Sequence, residues 1–165
     1  MWCSKILVAY DGSASSAKAL RLAREIASED TSVELLYVHV VKLVGMGAIG
    51  AGAEGAIASE ATQVLSELDR IADAVPNPAR ARLLKGTSPA DLILKCAKDE
   101  GCDLIVMGSR GKGGVKGYLG SVSYAVVQGS PIAVLIAKDT PAPAGKEAQP
   151  AATASSPATD KQGDR

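Results

Sequence analysis

The chain has 165 residues, 47% hydrophobic but only 3% aromatic, with no Phe. That suits one domain around a single aliphatic core. Eighteen Lys and Arg balance eighteen Asp and Glu, which excludes a global basic field for nucleic acid or anionic lipid. No apolar stretch reaches the ~18 residues of a membrane span, and Met1–Lys5 lacks a signal-peptide pattern. A cytoplasmic protein with no membrane or nucleic-acid partner is therefore expected. Cys3, Cys96 and Cys102 lack metal-ligand spacing and read as small buried hydrophobes.

Strands and helices alternate along the chain. Lys5–Tyr10 (KILVAY) is a short apolar run stopped by Asp11-Gly12-Ser13, the pattern of a buried strand. Ala14–Glu29 carries apolar residues at helical spacing. Val33–Val41 is a second strand. Lys42–Ile57, rich in Gly and Ala and nearly uncharged, is expected to be a mobile loop. From Ala58 an apolar stripe through Ala61, Val64, Leu68 and Ala72 marks a helix, stopped by Pro76-Asn77-Pro78.

Ala79–Lys85 is a third strand. Ser88-Pro89-Ala90-Asp91 opens a helix, with Ser88 as cap, Pro89 in first position and Asp91 reaching back. Gly101 stops it. Asp103–Met107 is the fourth strand, a glycine-rich loop spans Gly108–Gly120, and a helix starts at Ser121. Pro131–Ala137 is the fifth strand. Residues 139–165 lose their hydrophobic anchors and are expected to be a disordered tail after a domain of residues 1–138.

This order implies a parallel sheet with right-handed crossovers and helices on both faces, a three-layer α/β/α fold. Ligands of such sheets sit past the carboxyl ends of the strands. Three of those ends carry distinctive residues: Ala9–Ser13, Val38–Val40 and Met107–Gly111. Six of the thirteen residues Gly108–Gly120 are glycine, so the backbone can turn tightly and present N–H groups to an anion. The helix that follows offers unpaired first-turn amides, Ser121 and Ser123 offer hydroxyls, and Arg110, Lys112 and Lys116 offer charge. The competing reading is a surface loop with solvated cations.

Other motifs carry less. Gly45–Gly50 matches a dinucleotide fingerprint, but it follows the second strand and has no acidic strand end ~20 residues later. No Gly-Lys-Ser/Thr closes the glycine loop as a P-loop would. His39 lies within a strand with no nucleophile and carboxylate around it, and reads as a packed or edge histidine.

The segments KILVAYDGS, SPADLIL and DLIVMGSRG…GSVS…PIAVLIA together resemble the universal stress protein family over residues 4–138. The family's nucleotide-binding members share Gly, two residues, Gly, nine residues, then Gly and Ser or Thr. Here Gly108, Gly111 and Gly120-Ser121 keep the anchors, with one residue fewer in the longer gap.

The resemblance implies a Rossmann-like sheet of order 3-2-1-4-5 and binding of ATP or AMP, with Mg or Mn as the ion a triphosphate would carry. It makes Gly108, Gly111, Gly120 and Ser121 the ribose and phosphate contacts, with further donors from Ser109, Arg110, Lys112, Gly113, Gly114, Val122 and Ser123. It puts the backbones of Ala9 and Val38 at the adenine edge. Asp11 has two open roles: holding ribose hydroxyls or a nucleotide-bound metal, or ordering the turn before the first helix. Gly120→Val is expected to block the phosphate site while sparing the fold.

The resemblance also implies a homodimer through the edge strand Pro131–Ala137. The function it points to is a stress-response regulatory or signalling dimer, at most a slow ATPase because no general base stands out. The alternative is an interaction module of the same fold that has lost the nucleotide. A nucleotidyl-transfer enzyme needs a signature that Asp11-Gly12-Ser13 lacks.

Overall fold

The structure, a computed structural model, describes residues 2–43, 51–111 and 118–138. Five strands alternate with four helices: β1 (Lys5–Ala9), α1 (Ala14–Ser28), β2 (Glu34–Lys42), α2 (Ala51–Asp73), β3 (Ala79–Gly86), α3 (Pro89–Asp99), β4 (Leu104–Gly108), α4 (Ser121–Gly129) and β5 (Ala133–Ala137). All neighbouring strands are parallel, in the order β3-β2-β1-β4-β5. The sheet is the expected one.

Alternation within the central strands feeds two cores. Ile6 and Val8 of β1 join α1 and α2 on one face, with Leu20, Ala23, Val64 and Leu68. Leu7 points to the other face, with Ile93, Ile105 and Val126 beneath α3 and α4. Strands buried on both faces need the continuous apolar runs that β1 and β4 carry. The three cysteines are free and buried. Burial pushes the thiols of Cys3 and Cys96 up, and that of Cys102 to about 12. They pack as neutral side chains.

Three expectations are corrected. Residues 51–57, expected within a loop, instead open α2, which begins at Ala51; alanines at 51, 53, 56 and 58 favour helix enough to carry Gly52 and Gly55. Ser88 occupies the cap position of α3 but its side chain makes no cap bond. Its backbone, at ψ 94°, departs from the ψ 160° with which Ser13 does cap α1 by accepting from Ser16 N–H. β5 begins at Ala133, two residues after Pro131, since proline has no amide for the ladder and Ser130 Oγ donates to Ile132 O in a local turn. The Gly45–Gly50 fingerprint and the expected tail, 139–165, lie outside the described residues.

Candidate functional site at the carboxyl end of the sheet

At the end of β1, Tyr10 N–H donates to Val38 O at 2.9 Å. The chain then reverses through Gly12, whose φ of 76° lies in the left-handed region that favours glycine. Asp11 Oδ1 accepts from Ser13 N–H at 3.0 Å, an Asx turn that leads into α1. Asp11 therefore does order the turn, with one of its two oxygens. Tyr10 sends its side chain into the core, where the hydroxyl donates to Glu67 Oε1 at 3.2 Å. Burial, and Glu67 beside it, hold that phenol above its ordinary range. His39 is packed as expected: its Nδ1 donates to Tyr10 O at 2.8 Å.

The end of β4 comes very close to the start of α1. A Cβ on Gly108 would lie 2.4 Å from Ser15 Oγ and 2.7 Å from Ser16 N, so only glycine fits. Ser123 Oγ, buried, donates to Gly108 O at 2.8 Å and ties α4 to the same point. A Cβ on Gly111 would lie 2.7 Å from Asp11 Oδ2. The second glycine of the pattern therefore faces the carboxylate of β1's end.

The described amides divide into two groups. Ser109 N–H donates to Ala137 O and Gly120 N–H to Ser109 O, both at 2.8 Å; these two hold the loop's ends together. The first intrahelical bond of α4 is Tyr124 N–H to Gly120 O, and no described side chain caps the helix. The amides of Ser121, Val122 and Ser123 thus form an uncapped first turn with the positive end of the helix dipole.

A cleft of about 200 Å³ opens between these elements. Of the expected residues, Ala9, Asp11, Val38, Gly108, Arg110, Gly111, Val122 and Ser123 line it. Ser109, Gly120 and Ser121 stand outside its lining, and Lys112, Gly113 and Gly114 lie outside the described residues. A Cβ on Gly120 would meet Arg110 Cα at 3.4 Å and Ser109 O at 3.5 Å, ordinary contacts with the loop backbone.

Five further residues line it: Tyr10, Val40 and Met107, which fall within the strand ends singled out above but were not named as contacts, and Pro89 and Ile93, which were not singled out as site residues. Strand period could have found Val40. The carbonyl of Val38 points to β1, where Tyr10 N–H takes it; two residues on, the backbone of Val40 points the same way, past the last β1 partner. Pro89 and Ile93, one helical turn apart, come from α3. Together with Val38, Val40, Met107 and Val122 they supply the apolar part of the lining. Asp11, the glycines and the first turn of α4 supply its polar part.

No group of three or more His, Cys, Asp or Glu that could hold a metal occurs among the described residues. A protein-ligated metal centre does not fit these residues. A flat apolar ring bearing polar substituents and an anionic tail does fit: the apolar wall suits the ring, and the uncapped amides suit the anion.

A profile of the universal stress protein family matches residues 3–138. The chain is 37% identical over 158 residues to the universal stress protein YxiE of Bacillus subtilis, covering 82% of this chain and 99% of that one. Its fold superimposes on the protein MJ0577 with a TM-score of 0.75 at 26% identity, covering 86% of this chain and all of the other. A universal stress protein solved in complex with cAMP is similar with a TM-score of 0.62 at 27% identity, covering 82% and 97%. Sequence, sheet order and these likenesses agree: the chain belongs to the universal stress protein family.

Proposed function

We propose that this protein binds an adenine nucleotide, AMP or ATP, and acts as a regulatory or signalling dimer in a stress response. The observation that carries the reading is the mixed lining of the cleft, in which apolar residues of β2, β4 and α3 meet Asp11, two glycines and the first turn of α4. Its volume falls below the ~300 Å³ at which pockets for drug-sized ligands begin. Base and ribose are therefore the parts it encloses, and phosphates extend along the mouth of α4. The base lies toward Val40, Pro89 and Ile93. The α3 mouth is less suited to phosphate, since Pro89 lacks an amide and Asp91 puts a negative charge in the first turn. That a relative solved with cAMP carries the same fold supports an adenine nucleotide.

Asp11 Oδ2 is the carboxylate oxygen not used in the turn. It accepts from ribose hydroxyls, or holds indirectly a magnesium or manganese ion carried on a triphosphate. Such an ion would supply charge neutralisation of the phosphates, and this chain would contribute Asp11 alone. His39 is committed to Tyr10 O, and no other described side chain in the cleft serves as general base, so turnover is slow at most.

The dimer rests on β5, which ends the sheet. Its residues are all apolar, and Ala133 is exposed with Val134, Leu135 and Ile136 only half-buried. Tyr124 and Val127 of α4 are exposed as well. Antiparallel pairing with a second copy covers such an edge. No described helix is long and apolar enough to cross a membrane, and the cytoplasm is the proposed compartment.

The test is to denature the purified protein, identify released small molecules by chromatography, and titrate AMP and Mg·ATP by calorimetry. Release or micromolar binding of an adenine nucleotide is expected. A preparation that carries none and gives no heat with either would favour the second reading, an interaction module of the same fold, toward which the shortened gap between Gly111 and Gly120 points. Sedimentation as a monomer at micromolar concentration would remove the dimer.

A further inference from the structure

We infer that the amino terminus of α1 is closed by this chain's own Ser109–Gly111 segment, and that Ser15, assisted by Ser13, is the positioning residue that holds that segment in place. The effect on affinity rests on the nucleotide-binding reading; the clamp itself does not. In parallel α/β folds the first helix mouth, just past the first strand, is a ready seat for phosphate. Here the oxygen found at that mouth is the carbonyl of Arg110. It accepts from Ser15 Oγ at 2.5 Å and from Ser13 Oγ at 3.2 Å, one donor for each carbonyl lone pair.

The hydroxyls around it are fully engaged. Ser13 Oγ accepts from Ser16 N–H at 3.2 Å while it donates to Arg110 O. Ser16 Oγ accepts from Asp11 N–H at 3.3 Å and donates to Ser13 O at 3.0 Å. Ser15 and Ser16 are almost wholly buried. The backbone of Gly108 sits so near that a Cβ there would come within 2.7 Å of Ser16 N. A phosphate at α1 would have to displace a carbonyl, two hydroxyl donors and a strand end. The uncapped first turn of α4 has no such occupant among the described residues.

Arg110 is also the point from which the loop's geometry is set. It precedes Gly111, which faces Asp11 Oδ2, and its Cα lies 3.4 Å from where a Cβ of Gly120 would stand. Gly120 N–H in turn bonds Ser109 O. Holding one carbonyl therefore holds both the glycine wall of the cleft and the mouth of α4. Ser15 touches neither proposed ligand position and acts through Arg110.

The test uses the full chain and two readouts: hydrogen exchange at the Ser109 and Gly120 amides without nucleotide, and AMP affinity by calorimetry. Ser15→Ala is expected to speed exchange at both amides and to weaken AMP about tenfold, the size of one buried hydrogen bond left unmade. Ser15→Thr, which keeps the hydroxyl, is expected to restore both. Ser13→Gly removes the weaker donor at little cost to the helix cap. It should show a smaller change in the same direction and replaces Ser15→Ala if that variant fails to fold. Unchanged exchange at both amides overturns the clamp, whatever the affinity does. Faster exchange in a protein that binds neither AMP nor Mg·ATP upholds the clamp and overturns the nucleotide reading instead.

Discussion

The two ends of the sheet use the same kinds of residue to opposite ends. At the amino end, one oxygen of Asp103 takes three donors: Ser4 N–H at 2.6 Å, Ser4 Oγ at 2.8 Å and Lys5 N–H at 3.0 Å. Lys5 pairs with Glu34 at 2.8 Å, and Glu100 draws in Arg80 and, at 2.7 Å, Arg82. The carboxyl end has a comparable acid in Asp11, which accepts from Ser13 N–H with one oxygen. It has serines that hold backbone, glycines in place of side chains, and a helix mouth without a cap. Donors and acceptors satisfied within the protein stabilise it; those left facing a cleft are available to a ligand.

Variants at each end should separate these roles. The largest effect is expected from Gly108→Ala. The new methyl meets backbone atoms of α1 that cannot move aside, so stability should fall by about 2–3 kcal/mol in chemical denaturation. Wild-type stability would mean that β4 and α1 are not packed as described.

Next, Asp103→Ala should cost about 1–2 kcal/mol, discounted for its partial exposure, with nucleotide affinity unchanged. The same site predicts a pH dependence. The bonds from Ser4 and Lys5 hold the Asp103 carboxyl below its ordinary value, and Lys5 does the same for Glu34. Groups with a lowered folded pKa contribute fully above their unfolded pKa, about 4, and lose that contribution as pH falls through the folded pKa. Thermal midpoints should therefore drop below about pH 4, and Asp103→Ala should flatten that drop.

Gly111→Ala is the reciprocal case. Its methyl meets only the tip of the Asp11 side chain. Stability should stay within about 0.5 kcal/mol, while AMP affinity measured by calorimetry should fall about tenfold as the carboxylate is pushed aside. A change in stability with intact binding would reverse the assignment of this end. The smallest effect is expected at Tyr37, away from either end. Its ring is fully buried and its hydroxyl has no partner among the described residues. Tyr37→Phe should be neutral or stabilising by up to about 1 kcal/mol in urea melts, and a clear loss would reveal a partner for that oxygen.

Much of this was legible in the chain. Apolar runs punctuated by Gly, Pro, Asp and Ser located every strand to within two residues at each end, since period and turn chemistry are local properties. The glycines at 108 and 111 stood out as places where the backbone turns tightly; that a Cβ at either would meet α1 or the Asp11 carboxylate is evident only in the fold. The start of α2 was misjudged because counting glycines ignored the alanines between them. Val40 was missed in favour of Val38 because which backbone groups face an empty edge depends on where the neighbouring strand stops.

By itself the sequence determined the sheet, its two-faced burial and the edge on which a ligand would bind. These follow from hydrophobic spacing and from the handedness of crossovers, which hold wherever the pattern occurs. Only the tertiary structure decided which donors remain available there. Ser15 meets the carbonyl of Arg110 from 95 positions away, Ser109 and Gly120 use their amides on each other and on β5, and α3 supplies the apolar wall. Hydrogen bonds between residues so far apart leave no periodic trace in the chain, because their geometry exists only once the strands and helices have packed.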